Sequence, residues 1–130
     1  MTIRSDLDKA LQRKLQAFED AIGRTALGVD AELVEQTPVD TGRARSNWFA
    51  SIGSPSGQTT EQTSPQTFDN KSIYDRYKLN QTIFITNNLP YIVPLNNGTS
   101  QQAPAGFVDA TVAKYRRKVK EDFRQIERRF

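Results

Sequence analysis

The side chains able to do chemistry fall into two groups. Near the C-terminus Arg116, Arg117, Lys120, Arg124 and Arg128 recur at three- and four-residue spacing, flanked by Lys114, Lys118 and Arg129. A helix gathers that spacing on one face, and the resulting stripe of cations has three uses: a solvated outer surface, a dock for an acidic protein, or a phosphate-facing surface. Glu121, Asp122 and Glu127 interrupt it and offer helix pairs worth a few tenths of a kcal/mol. The second group is Thr37-Pro38-Val39-Asp40-Thr41-Gly42-Arg43-Ala44-Arg45, where one carboxylate stands before two cations. Asp40 has no second carboxylate nearby in sequence, so general acid–base work lacks its usual partner; a turn or cap carboxylate accepting backbone N–H groups is the simpler reading. Arg43 and Arg45 face either a partner's acidic groups or solvent.

Cysteine and histidine are both absent, which removes disulfides, thiolate nucleophiles, the commonest zinc ligands and the commonest general base. No Walker loop, dinucleotide glycine fingerprint, Ser/His/Asp arrangement or metal-ligand spacing is present. The expectation is a non-enzyme without metal or cofactor, a carboxylate pair assembled by the fold being the one catalytic route left. No apolar run approaches the ~20 residues that span a bilayer, and Asp6, Asp8 and Glu19 break up the start, so neither a membrane segment nor an export signal is expected.

A length of 130 residues fits one domain, 1–130, with a modest core. The net charge of +3 is unevenly placed. Residues 1–36 carry five basic and seven acidic side chains, residues 37–113 five of each, and residues 114–130 eight basic and three acidic. The last segment alone makes the chain basic, and an anionic partner belongs there.

The elements that must position these groups follow from periodicity. Leu7, Leu11, Leu15, Phe18, Ile22, Val29 and Leu33 predict an amphipathic helix over 5–36, stopped by Pro38, with Gly23 and Gly28 marking a kink or a close backbone approach. Residues 46–52 alternate, predicting a half-buried strand with Trp48, Ala50 and Ile52 on one face and Phe49 on the other. Residues 53–67 hold no large apolar side chain and read as a long loop, either mobile or an arm that orders against a neighbouring subunit. A short helix over 69–79 and a strand over 81–87 follow, the latter placing Phe84 opposite Ile83 and Ile85. Pro90 and Asn96-Asn97-Gly98-Thr99 are turns, and residues 91–95 are either a turn of helix or a brief strand. Pro104 opens a final helix with an apolar face from Phe107 or Val108 to Phe130. Two strands make a marginal sheet, so a third or fourth is expected, residues 91–95 being one place for it. The fold class is α+β, a small antiparallel sheet packed against long N- and C-terminal helices.

Four short segments give the chain a resemblance. Thr37-Pro38-Val39-Asp40-Thr41-Gly42-Arg43 after a long first helix, Asn88-Leu89-Pro90-Tyr91, Gly98-Thr99 and Ala103-Pro104-Ala105-Gly106-Phe107 are similar to motifs of the tail-completion or head–tail joining proteins of tailed bacteriophages. The resemblance implies a structural virion protein at the neck, made in the host cytoplasm. It implies a homo-oligomeric ring, hexamer or dodecamer, between portal or adaptor and tail proteins, with DNA passing through its lumen. Relatives often carry an acidic residue before the glycine of the Gly-Thr corner, where this chain has Asn97. The expected interface residues are Arg43, Arg45, Trp48, Phe49, Phe84, Tyr91, Arg116, Arg117, Lys120 and Arg124, with Phe49 or Phe84 buried against neighbours. The alternative is a small nucleic-acid-binding protein that uses the basic C-terminal helix.

Overall fold

The computed structural model describes residues 3–39, 42–98 and 105–130. The readings of Asp40, Thr41, Thr99, Ala103 and Pro104 lie outside the described residues. In chain order come α1 (Ile3–Gln36), a 3-10 turn (Arg45–Asn47), β1 (Phe49–Ile52), α2 (Thr67–Asp75), β2 (Ile83–Thr86), α3 (Ile92–Asn96) and α4 (Phe107–Arg129). The strands pair antiparallel, Phe49 opposite Thr86 and Ile52 opposite Ile83, and the long helices pack against this small sheet in an α+β arrangement.

Helix α1 is the spine, about 50 Å long at 1.5 Å per residue. α4 lies antiparallel along it: Lys14 pairs with Glu127 at 2.9 Å and Glu32 with Lys114 at 2.6 Å. Between them Phe18 and Phe123 meet edge to face at 5.1 Å. Gly28 lets the two helices close up, since a Cβ there would stand 2.5 Å from Tyr115 Cε1. Gly23 does the same for α2, with Tyr74 O 3.0 Å from where its Cβ would be. Leu7 and Leu11, expected to pack, are instead 64% and 53% exposed. The reason is length: α4 ends one residue after Arg128, level with the Lys14 turn of α1, so the first turns of α1 overhang with their apolar stripe uncovered.

The core gathers Leu33, Trp48 and Phe107, with Val29, Val34, Ile85, Ile92, Leu95 and Val108 packed around them. It therefore joins both long helices to β2 and α3.

Three local expectations are corrected. The strand placed over 46–52 begins only at Phe49, because Ser46 and Asn47 belong to the 3-10 turn. Their own side chains close that turn: Ser46 Oγ donates to Gly42 O at 2.7 Å and Asn47 Nδ2 to Arg43 O at 2.7 Å. The short helix runs Thr67–Asp75 rather than 69–79, its last turn closing with Arg76 N on Ile73 O. The third strand near 91–95 is absent among the described residues, and α3 stands there. Pro94 falls within the first turn of α3, where a missing N–H costs no helical bond, whereas in a strand it would delete a ladder bond.

Residues 54–66 form neither helix nor strand, yet their backbone is tied from within. Asn47 accepts from Thr60 N at 2.9 Å and donates to Thr60 O at 3.0 Å, as a neighbouring strand would. Asn88 Nδ2 holds Ser56 O at 2.7 Å and Gln58 O at 3.1 Å. Arg43 adds Thr60 O at 3.3 Å and the Glu61 carboxylate at 2.8 Å. The Asn47 and Asn88 amides thus replace the apolar contacts this loop lacks.

Candidate interaction surfaces

One polar group lies at the centre of the molecule and was not anticipated. Asp30 is fully buried on α1 and accepts hydrogen bonds from Thr67 Oγ1 at 3.0 Å, Asn70 Nδ2 at 2.7 Å and the Tyr74 hydroxyl, all three on α2. Asn70 also donates to Trp48 O at 2.8 Å and accepts from Ala50 N at 3.0 Å. Its amide therefore caps the outer edge of β1 while its other contact ties α2 to α1. No solvent path reaches Asp30, so the cluster holds elements together rather than meeting a substrate. A signal for it exists in the sequence: Ala26, Asp30, Leu33 and Thr37 share one helical stripe, and a carboxylate inside a buried stripe needs donors from elsewhere.

Burial, then the Asp30 charge and the hydrogen bond to it, push the Tyr74 hydroxyl far above its ordinary range. The folded protein therefore keeps the Tyr74 proton that the unfolded chain releases near pH 10, so this contribution is full below that pH and is lost as pH rises through it. Stability is expected to fall by up to about 1.4 kcal/mol per pH unit above about pH 10 from this group. Urea titrations of wild type and Tyr74→Phe at rising pH check it: the variant should show a shallower alkaline decline.

The expected interface residues divide into three sets. Trp48 is core, 5% exposed, its indole N–H donating to Thr37 Oγ1 at 2.9 Å. Arg45 caps the end of α1, donating to Thr37 O at 3.1 Å and Glu35 O at 2.9 Å, while Arg43 anchors the loop. The two arginines hold backbone carbonyls and stay part-exposed, whereas the indole is interior. Phe49 and Phe84 share the sheet face that points away from Ile85 and the core, with Ser51 and Thr86 beside them, and both are half-buried. Tyr91, 38% exposed, starts α3 next to Val93 at 63%. Arg116, Arg117, Lys120 and Arg124 are exposed on α4.

The sheet has one unclaimed edge. Gly53 N donates to Thr82 O at 2.9 Å, and strand alternation then makes Ser51–Phe84 and Phe49–Thr86 the hydrogen-bonded pairs. Ile83 and Ile85 aim their backbone groups the other way, and no described residue pairs with them. β1 is capped by Asn70; β2 is not.

Comparison of the chain with protein-family models, curated proteins and solved structures finds no match. Among the described residues no group of three His, Cys, Asp or Glu is placed to hold a metal ion, and no helix is long and apolar enough to cross a membrane.

Proposed function

We propose that this chain is a structural virion protein of a tailed bacteriophage, a neck subunit that joins head to tail. Copies close into a homo-oligomeric ring, hexameric or dodecameric, that binds portal or adaptor on one side and tail on the other while DNA passes through. The reading rests on the four resembling segments. Support for the assembly step comes from one observation, the outer edge of β2, unpaired among the described residues, in a sheet that has two strands there. Such a sheet is marginal alone, and an open edge is a template for strand addition. An extended segment of a neighbour paired to Ile83 and Ile85 would cover Phe84 as well, within an interface of ~800 Å² per partner. Head-to-tail contacts of this kind generate rings when the rotation closes.

Light scattering of the purified protein at low and high salt, without DNA, tests the reading. A closed oligomer in both is expected, because backbone pairing and apolar burial are weakly salt-dependent. A monomer in both, with no copy of the chain in purified particles, would overturn it. Ile83→Pro gives the sharper version. Its missing N–H lies on the outward side, where proline is tolerated in an edge strand, so cooperative unfolding should persist while the oligomer dissociates. A folded, still oligomeric Ile83→Pro protein would remove β2 from the interface.

A further inference from the structure

Helix α4 gives one side to α1 and keeps the other free. Phe107, Thr111 and Ile126 are buried on the inner side, with Tyr115 against Gly28 and Phe123 against Phe18. On the opposite side Arg116, Lys120, Arg124 and Arg128 follow one another at four-residue steps, each a rise of about 6 Å, with Arg117 beside them. All five are exposed.

The other cations of α4 are spent locally. Lys114 pairs with Glu32 at 2.6 Å, Lys118 lies 5.5 Å above the Tyr115 ring, and Arg129 stacks 5.0 Å from the Phe130 ring. Three of the acids are engaged, Glu127 by Lys14, Glu121 by Arg124 at 3.2 Å and Asp109 by Asn96 at 3.3 Å, and Asp122 lies half-buried on the α1 side, away from the stripe. Arg116, Arg117, Lys120 and Arg128 have no ion pair or hydrogen-bond partner among the described residues. What remains is four unpaired cations that wind gently along the exposed side of α4, with the Glu121-paired Arg124 among them.

We propose that this face binds the phosphate backbone of duplex nucleic acid, without reading its sequence. The composition of the stripe separates this partner from an acidic protein. Protein interfaces centre on buried aromatic or aliphatic anchors and deplete charge there, whereas nucleic-acid interfaces are polar and strongly positive. No large apolar residue stands among the five cations; the exposed Val112 and Phe130 lie to one side. Single strands are bound through aromatic stacking platforms, and the stripe has none. Guanidinium forks, four of the five groups, match phosphate oxygens in geometry. The proposal holds for a ring or a monomer and does not depend on the neck reading.

Fluorescence anisotropy of a labelled random-sequence duplex with the full-length chain tests it. If four cations each neutralise a phosphate, log affinity should fall against log salt with a slope of about −3.6, a loss of about 150-fold between about 0.05 and 0.2 M. The double variant Arg116→Glu with Lys120→Glu should lose more than about tenfold in affinity and flatten the slope by about two. Arg4→Glu with Lys9→Glu, an equal charge change on the exposed start of α1, is the control and should stay within about threefold. Unchanged unfolding midpoints confirm that both variants fold. Absence of binding at low salt, equal losses in both variants, tighter binding of a single strand, or polyglutamate competing as well as duplex would each overturn the proposal. Light scattering of the same samples, with a search for the chain in purified particles, keeps the two readings apart, since a monomer that binds duplex and is missing from particles sinks the ring and leaves this face intact.

Discussion

Replacing Asp30 by alanine is expected to destabilise the fold by about 3–5 kcal/mol, read as a fall in the urea midpoint at neutral pH. Three donors from α2 converge on this carboxylate, the buried Asn70 and Tyr74 and the part-buried Thr67. Alanine leaves the buried Tyr74 hydroxyl without an acceptor, takes the acceptor of the part-buried Thr67 hydroxyl away, and opens a small void. Asn70 keeps its bond to Trp48 O, so the β1 edge should loosen rather than dissolve. Asp30→Asn preserves shape but replaces one acceptor oxygen by a donor that faces other donors. Its loss should be smaller, about 2 kcal/mol, and the order alanine worse than asparagine is the diagnostic. For a domain whose total stability is of order 5–15 kcal/mol, the alanine variant approaches the unfolding threshold. A midpoint at the wild-type value would mean that the buried network does not hold α1 to α2.

Trp48→Ala is expected to cost about 3–5 kcal/mol, because the indole fills the centre of the cluster with Leu33 and Phe107. The same side chain has a second task. Its N–H donates to Thr37 Oγ1, and Thr37 in turn donates to Leu33 O, which closes the C-terminal end of α1. Trp48→Phe separates the two: ring burial largely survives, the hydrogen bond does not, and the expected loss is about 1–2 kcal/mol. Trp48 is the only tryptophan in the chain, so its fluorescence reports the core directly. Emission should shift to the red in the same denaturant range as the loss of helical circular dichroism; separate transitions would show that this core is not part of the cooperative unit.

Much of the architecture was legible from local pattern. The two long helices announce themselves through three- and four-residue periodicity over 34 and 23 residues. Strict alternation at Phe49–Ile52 and Ile83–Thr86 marked the strands and placed Phe49 and Phe84 on the face away from the core. The basic face of α4 followed from spacing alone. Errors fell where a side chain outweighed the pattern. Ser46 and Asn47 alternate like strand residues, but their polar groups bond backward to Gly42 and Arg43 and wind the chain into a turn. Leu7 and Leu11 carry the right periodicity, but whether a stripe is covered depends on where the opposing helix ends.

The roles of single residues divide along the same line. The helices, the strand faces and the uneven charge can be read along the chain, because each depends on residues within a few positions of one another. The packed fold brings Asp30 to Thr67, Asn70 and Tyr74, sets Trp48 in the core and lets Asn47 hold the long loop. It also decided that β1 is capped by Asn70 while no described residue pairs with the outer edge of β2. These are hydrogen bonds between groups 11 to 44 residues apart. Their geometry exists only once the apolar faces have packed, since the burial that makes each such bond necessary is itself a product of the assembled fold.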